Sequence, residues 1–273
     1  MKKKKLLIVN CLLLIGGCVV LSGCVPKNTS SPPPTGNQEV STPTKPPSQT
    51  ISEAPFVQLI PSADGHWVDL EVKNIKSGTK SVDYELIYFA GEEGNKIERG
   101  VAGTVDLKGE NNLVRKILFG SESCTTGKCK YKFDENISEG MLTLKLKGDF
   151  GIEKYESSFR LQKGLEGKEG INAGDGIFNF VSDNLSKNAY YLTISTFGLP
   201  AKIEGNASVS PYGIFPSVAA KGTVSFKTAN QSNKILFWDN GKWQELTSSF
   251  ADGWLSASVS KTGIFLLVTP GVN

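Results

Sequence analysis

The chain has a single histidine, His66, among 273 residues. That removes most acid–base and nucleophile pairs that work near neutral pH, because imidazole is the side chain whose ordinary pKa lies there. A Ser-His-Asp arrangement would have to use His66, which opens a strand beside Trp67. The nucleophile elbow G-x-S-x-G, the H-E-x-x-H metal helix and an EF-hand loop are all missing. The stretch GSESCTTGKC falls short of a phosphate loop, since Gly120 comes two residues early and Cys129 stands where a hydroxyl would hold magnesium. SGTK, Ser77 to Lys80, has the spacing of a nucleophile–lysine pair but falls in a predicted turn. FDENISEG gathers Asp134, Glu135 and Glu139, a set that serves either as oxygen ligands for calcium or as a solvated turn. No catalytic residue, metal site or cofactor is assigned on these grounds. The chain reads as non-enzymatic, with an envelope hydrolase built on carboxylates as the disfavoured alternative.

Charge of one sign is also lacking. The formal net charge is +3, from 30 basic and 27 acidic residues. Lys2, Lys3, Lys4 and Lys5 supply that surplus; without them 26 basic residues face 27 acidic ones. A near-neutral body with scattered charge gives no case for nucleic acid. Cysteine is sparse, at five. Cys11 and Cys18 fall in the apolar N-terminal run, leaving Cys24 and the pair Cys124 and Cys129 in SCTTGKCKY. A structural zinc site needs about four soft ligands, and the chain cannot supply them. Outside the cytoplasm two thiols this close pair with each other, so a disulfide between Cys124 and Cys129 is expected.

What is present at the N-terminus gives an address. The four lysines precede LLIVNCLLLIGGCVVL, the layout of a secretory signal. The run ends in Leu21-Ser22-Gly23-Cys24. This LSGC resembles the lipobox of bacterial lipoproteins. The resemblance implies cleavage after Gly23 and acylation of the Cys24 thiol, with palmitate-type chains anchoring the protein to an extracytoplasmic membrane surface. Residues 25–55 then hold eight of the thirteen prolines among Ser, Thr, Asn and Gln. Such a segment buries too little apolar surface to order itself. As polyproline II at about 3.1 Å per residue it reaches up to roughly 90 Å.

From Phe56 the pattern becomes short alternating runs. HWVDLEV sets Val68, Leu70 and Val72 against Trp67, Asp69 and Glu71; SVDYELIYFAG and MLTLKLKGDF alternate likewise. Period-two patterning of this kind predicts half-buried strands. About eight of them in about 105 residues suit an antiparallel, immunoglobulin-like sandwich. Residues 162–176 hold Gly164, Gly167 and Gly170 at every third position and read as a glycine-rich linker. Strand patterning resumes at GIFNFVS and runs to GIFLLV. The expected organisation is all-β: a signal peptide over 1–23, a lipidated disordered tether over 24–55, one β-sandwich over 56–161, a linker over 162–176 and a second β-sandwich over 177–273.

In ILFWDNGKWQEL, Asn240-Gly241 predicts a type I′ hairpin that sets Trp238 opposite Trp243 and Asp239 opposite Lys242. The order PYGIFPS, GTVSFK, ILFWDNGKWQEL, ASVSKTGIFLLV resembles the closing strands of ZU5-like β-sandwiches of bacterial surface proteins, which implies fold and not activity. IERGVAGTVDLKGENNLVRKILFGSESCTTGKCKY is similar to uncharacterised lipoproteins of candidate-phylum bacteria, which implies no activity either. The one constellation with ligand-contact character is Trp238, Trp243 and Trp254, expected on one sheet face; the alternative is that they pack inward or staple the hairpin. Alternation places Trp254 with Ser256 and Ser258, opposite Leu255, Ala257 and Val259. The expected function is a surface lipoprotein acting as a non-enzymatic binding or structural module of the cell envelope. Its partners would be the membrane, through the lipid, and an envelope protein or glycan. A carbohydrate-binding protein using the tryptophans is the alternative.

Overall fold

The computed structural model describes residues 51–203 and 206–269. The signal segment, Cys24 and the tether up to residue 50 lie outside the described residues. Among the described residues twenty strands make up nearly all of the regular structure, and every strand pairing is antiparallel. The first half runs β1 (Phe56–Pro61), β2 (Trp67–Lys73), β3 (Thr79–Ala90), β4 (Ile97–Asp106), β5 (Leu113–Leu118), β6 (Gly120–Thr125), β7 (Lys128–Phe133), β8 (Glu139–Gly148) and β9 (Gly151–Lys163). The second half runs β10 (Ile171–Asn172), β11 (Phe178–Val181), β12 (Tyr190–Ser195), β13 (Asn206–Ala207), β14 (Tyr212–Phe215), β15 (Ala219–Lys227), β16 (Lys234–Asp239), β17 (Lys242–Leu246), β18 (Ser248–Ala251), β19 (Trp254–Lys261) and β20 (Ile264–Thr269).

These strands form one long sheet, two shorter sheets and a hairpin. The long sheet has the order β17-β16-β20-β14-β12-β9-β8-β3-β4, with β13 added on β20. A three-stranded sheet has the order β1-β2-β5, a five-stranded sheet the order β10-β11-β15-β19-β18, and β6-β7 stand as a separate hairpin. Alternation along the long sheet tells which face each small sheet covers. On β12, Leu192 and Ile194 join the core under the three-stranded sheet, while Tyr191 joins the core under the five-stranded one. On β14, Phe215 points to the first core and Tyr212 and Ile214 to the second. On β20, Ile264 belongs to the first and Phe265 and Leu267 to the second. Successive side chains of a strand point to opposite faces. The two small sheets therefore cover opposite faces of the long sheet.

This staggering explains two kinds of strand sequence. β3 and β8 are covered on one face, so they alternate: Val82, Leu86, Leu142, Leu144 and Leu146 are fully buried while Glu85 and Met141 are exposed. β12, β14 and β20 are covered on both faces and read as continuous apolar runs, YYLTI, YGIF and IFLLV. Fully burying one such Leu, Ile or Phe contributes about 1.5–3 kcal/mol before the chain-ordering cost.

Two expected boundaries are corrected. The division at 161/177 falls inside the long sheet, because β9 pairs with β12 in the register Leu161↔Leu192 and Arg160↔Thr193. The described residues belong to one compact unit, with two large cores and a small third cluster of Leu199, Leu266 and Val268, rather than two sandwiches on a linker. Residues 162–176 are ordered. The Glu166 carboxylate accepts the Lys163 N–H at 2.8 Å, closing a 3-10 turn over Gly164–Lys168, and the Gln162 side chain accepts the Asn172 N–H at 3.0 Å. The three glycines mark close approach, not flexibility. A Cβ at Gly164, Gly167 or Gly170 would lie 2.2, 2.6 or 2.3 Å from Ser186 O, Ser182 O or Asn179 Oδ1. At the other end, residues 51–55 belong to the body and not to the tether. Ala54 is buried, Ile51 packs beside Leu199 and Leu266, and Pro55 O accepts the Gly198 N–H at 3.0 Å.

Candidate functional site

The outer face of the five-stranded sheet is built by β11, β15, β18 and β19. Asp252 and Gly253 hold φ of 52° and 78°, the paired positive values of a two-residue hairpin loop, and Ala251 pairs with Trp254 across it. From that point alternation sends Leu255 and Ala257 into the second core, at 2% and 3% exposure. Trp254, Ser256 and Ser258 point the other way, Trp254 and Ser256 half-buried and Ser258 exposed. On β15 Val224 and Phe226 go inward, leaving Thr223, Ser225 and Lys227 outside.

Register assembles these into rows across the strands. One row is Asn179–Ser225–Ser256–Ser249, with the Ser225 and Ser256 hydroxyl oxygens 2.8 Å apart and hydrogen-bonded. The row beside it is Lys227–Trp254–Ala251, and beyond the first lies Val181–Thr223–Ser258. Neighbouring strands lie about 4.8 Å apart, so β15, β19 and β18 give a platform about 10 Å wide. On β11 the Asn179 Oδ1 is buried against Gly170. Hydroxyls donate and accept by rotation, and an indole face offers flat apolar area. A planar ligand carrying many hydroxyls matches this surface.

The other tryptophans are placed differently, which corrects the expectation of a shared face. Trp238 and Trp243 lie in the long sheet and Trp254 in the five-stranded one. The Asn240-Gly241 turn, with φ of 49° and 79°, sets Trp238 opposite Trp243 with ring centroids 5.2 Å apart, edge to face. Both indoles pack against the first core, and Trp243 Nε1 donates to Ala201 O at 3.1 Å. They face away from the five-stranded sheet because Ile235 and Phe237, at the intervening positions, enter the second core. They staple the hairpin and cover the first core, and both are half-buried. Asp239 bonds Lys261 and not its expected cross-strand neighbour Lys242.

Cys124 and Cys129 are joined, as a register pair in the β6–β7 hairpin, whose loop turns at Thr126 and Gly127 with φ of 48° and 78°. The sequence reading missed what this hairpin carries. Phe133 stacks on His66 at 4.0 Å with the rings 4° from parallel, and Tyr131 meets Trp67 edge to face at 5.5 Å. Lys116 Nζ sits 5.1 Å from the Trp67 ring centre. The alternation of Cys129, Tyr131 and Phe133 in KCKYKF was the available signal. Its destination, a histidine and a tryptophan more than sixty positions upstream, was not in the pattern. His66 is thereby a stacking residue, with Nδ1 3.2 Å from Asp64 Oδ2.

The acidic turn is likewise engaged. Asp134 Oδ2 accepts the Tyr88 hydroxyl at 2.8 Å and Arg99 Nε at 3.0 Å. Burial first, and then the Asp134 carboxylate, push the Tyr88 phenol up to about 12. No protein-family model matches this chain, and no curated protein is similar to it.

Proposed function

We propose that the protein is a lipid-anchored lipoprotein of the cell envelope and acts as a non-enzymatic binding module, with the outer face of the five-stranded sheet as its contact surface. One observation carries this reading. All four tryptophans are half-buried, but Trp67, Trp238 and Trp243 each meet another aromatic ring, whereas Trp254, beside Ser256, meets none among the described residues. An indole left without a ring partner on a flat hydroxyl-bearing face supports a contact role. Anchoring rests on the LSGC segment ending at Cys24, and the proline-rich stretch that follows serves as the stalk. A glycan is the ligand class favoured by a hydroxyl row flanked by one aromatic ring.

The test is retention of the detergent-solubilised full chain on lipid-free cell-wall material. Wild type is expected to sediment with it, and Trp254→Ala to lose most of that retention while keeping the wild-type unfolding midpoint within about 2 °C, as for a surface substitution. Equal retention of the two proteins would move the contact surface elsewhere. No retention of either would sink the binding role.

A further inference from the structure

We propose that the β6–β7 hairpin is a docking finger for a linear polyanion, bound by Lys128, Lys130 and Lys132. The inference does not rest on the Trp254 face. The two faces of the hairpin are divided by chemistry. Cys129, Tyr131 and Phe133 alternate onto one face, where the disulfide ties the strands and the rings seat the hairpin on His66 and Trp67. The three lysines therefore share the opposite face, and all are exposed. Their register partners there are Thr125, Ser123 and Ser121, also exposed. The hairpin's one carboxylate, Glu122, pairs with Tyr131 and so lies on the seated face.

Among the other described surface lysines some stand without an ion pair, such as Lys108, Lys187 and Lys242, while Lys73, Lys76, Lys80, Lys147, Lys154, Lys234 and Lys261 form one. Among the described residues none of the three hairpin lysines does. Alternate residues of a strand are about 6.7 Å apart, so the three ammonium groups form a line about 13 Å long. A hydroxyl flanks each at the cross-strand distance of about 5 Å. A line of unpaired cations with hydroxyls alongside complements a chain of repeating phosphate or carboxylate groups, and exceeds what a single small anion needs. The two-strand clamp holds the line straight before binding, which lowers the ordering cost of the complex.

The probe is sodium polyphosphate of defined length, titrated against the full chain in detergent at several salt concentrations. Binding is expected, and the Lys128→Gln/Lys130→Gln/Lys132→Gln variant should bind at least ten-fold more weakly. Its slope of log K against log salt should be shallower by about two, the value for three released counterions on a single-stranded polyanion. A control variant, Lys108→Gln/Lys187→Gln/Lys242→Gln, alters three exposed lysines elsewhere and should stay within two-fold of wild type. Equal loss in both variants would mean a net-charge effect and overturn the proposal. So would absence of polyphosphate binding. Lysine-dependent binding to phosphatidylglycerol vesicles without polyphosphate binding would replace the polymer with a membrane surface and overturn it too. If the polymer binds as expected while Trp254→Ala leaves wall retention unchanged, the finger stands and the Trp254 face falls.

Discussion

The two small sheets each carry a tryptophan on the outer face, and the molecule treats them in opposite ways. On the three-stranded sheet Trp67 is met by Tyr131 from the disulfide hairpin and by the Lys116 ammonium. On the five-stranded sheet Trp254 is flanked by Lys227 and Ala251 and lies next to a hydroxyl row, with no ring upon it among the described residues. The same residue type in the same strand geometry is structural in one place and open in the other. The difference comes from what the chain does next. After β5 it turns at once into a hairpin that folds back on its own sheet, whereas after β19 it leaves for β20 in the long sheet.

The largest effect separates both outer faces from the doubly covered strands. Phe265, fully buried in β20, stacks against Phe237 at 5.0 Å. Phe265→Ala is expected to cost about 3–5 kcal/mol in denaturant unfolding. A loss under 1 kcal/mol would show that β20 is not covered as described. Next, Cys124→Ser with Cys129→Ser should cost about 2 kcal/mol or less, since the closed loop is short. Amide exchange in that variant should rise in β6 and β7 first; a global rise would contradict the hairpin's separate standing in the fold. Gly241→Val places a β-branched residue at a φ of 79° and should cost about 1–3 kcal/mol, read from the unfolding midpoint.

The paired truncations sharpen the comparison directly. Trp67→Ala should cost about 1–2 kcal/mol and loosen the hairpin, because it removes an edge-to-face partner together with buried area. Trp254→Ala should cost less than about 1 kcal/mol. Equal costs would erase the distinction between the covered and the open face. The smallest effect is confined to alkaline pH. The folded Tyr88 phenol is raised to about 12, above its ordinary 10. Its contribution to stability is therefore complete below pH 10 and is lost as pH rises from 10 through 12. Burial raises Tyr155 and Tyr212 as well, so ultraviolet titration should show several late tyrosinate steps, and Tyr88→Phe should remove one of them.

Much of the fold was readable from particular residues. Val68, Leu70 and Val72 alternate with Trp67, Asp69 and Glu71, and the first set is fully buried. Such a pattern is local, so it survives without knowledge of the partner strand. The glycines of 162–176 misled for the complementary reason. A glycine looks alike in sequence whether it gives freedom or permits contact, and here Ser186 O and Ser182 O lie where side chains would be. The expected grouping of Trp238 and Trp243 with Trp254 failed because a common face requires a common sheet. Sheet membership depends on pairings such as Phe237↔Phe265 and Phe226↔Leu255, which no single strand encodes.

Turn chemistry and alternation were decided within the sequence itself. Asn240-Gly241 admits positive φ at both positions, and the polar positions at Ser256 and Ser258 turn one side of β19 outward. These depend on backbone sterics and on the two-residue period of a strand, both of which act over a few residues. Which outer faces stay open was decided only by tertiary structure. The pairing of β9 with β12 merges two halves into one long sheet, and the staggered small sheets then bury IFLLV on both sides. The same step leaves Trp254 half-buried with no ring partner among the described residues while seating Tyr131 on Trp67. Burial is a property of surfaces brought together from distant parts of the chain, and it is settled only when those surfaces meet.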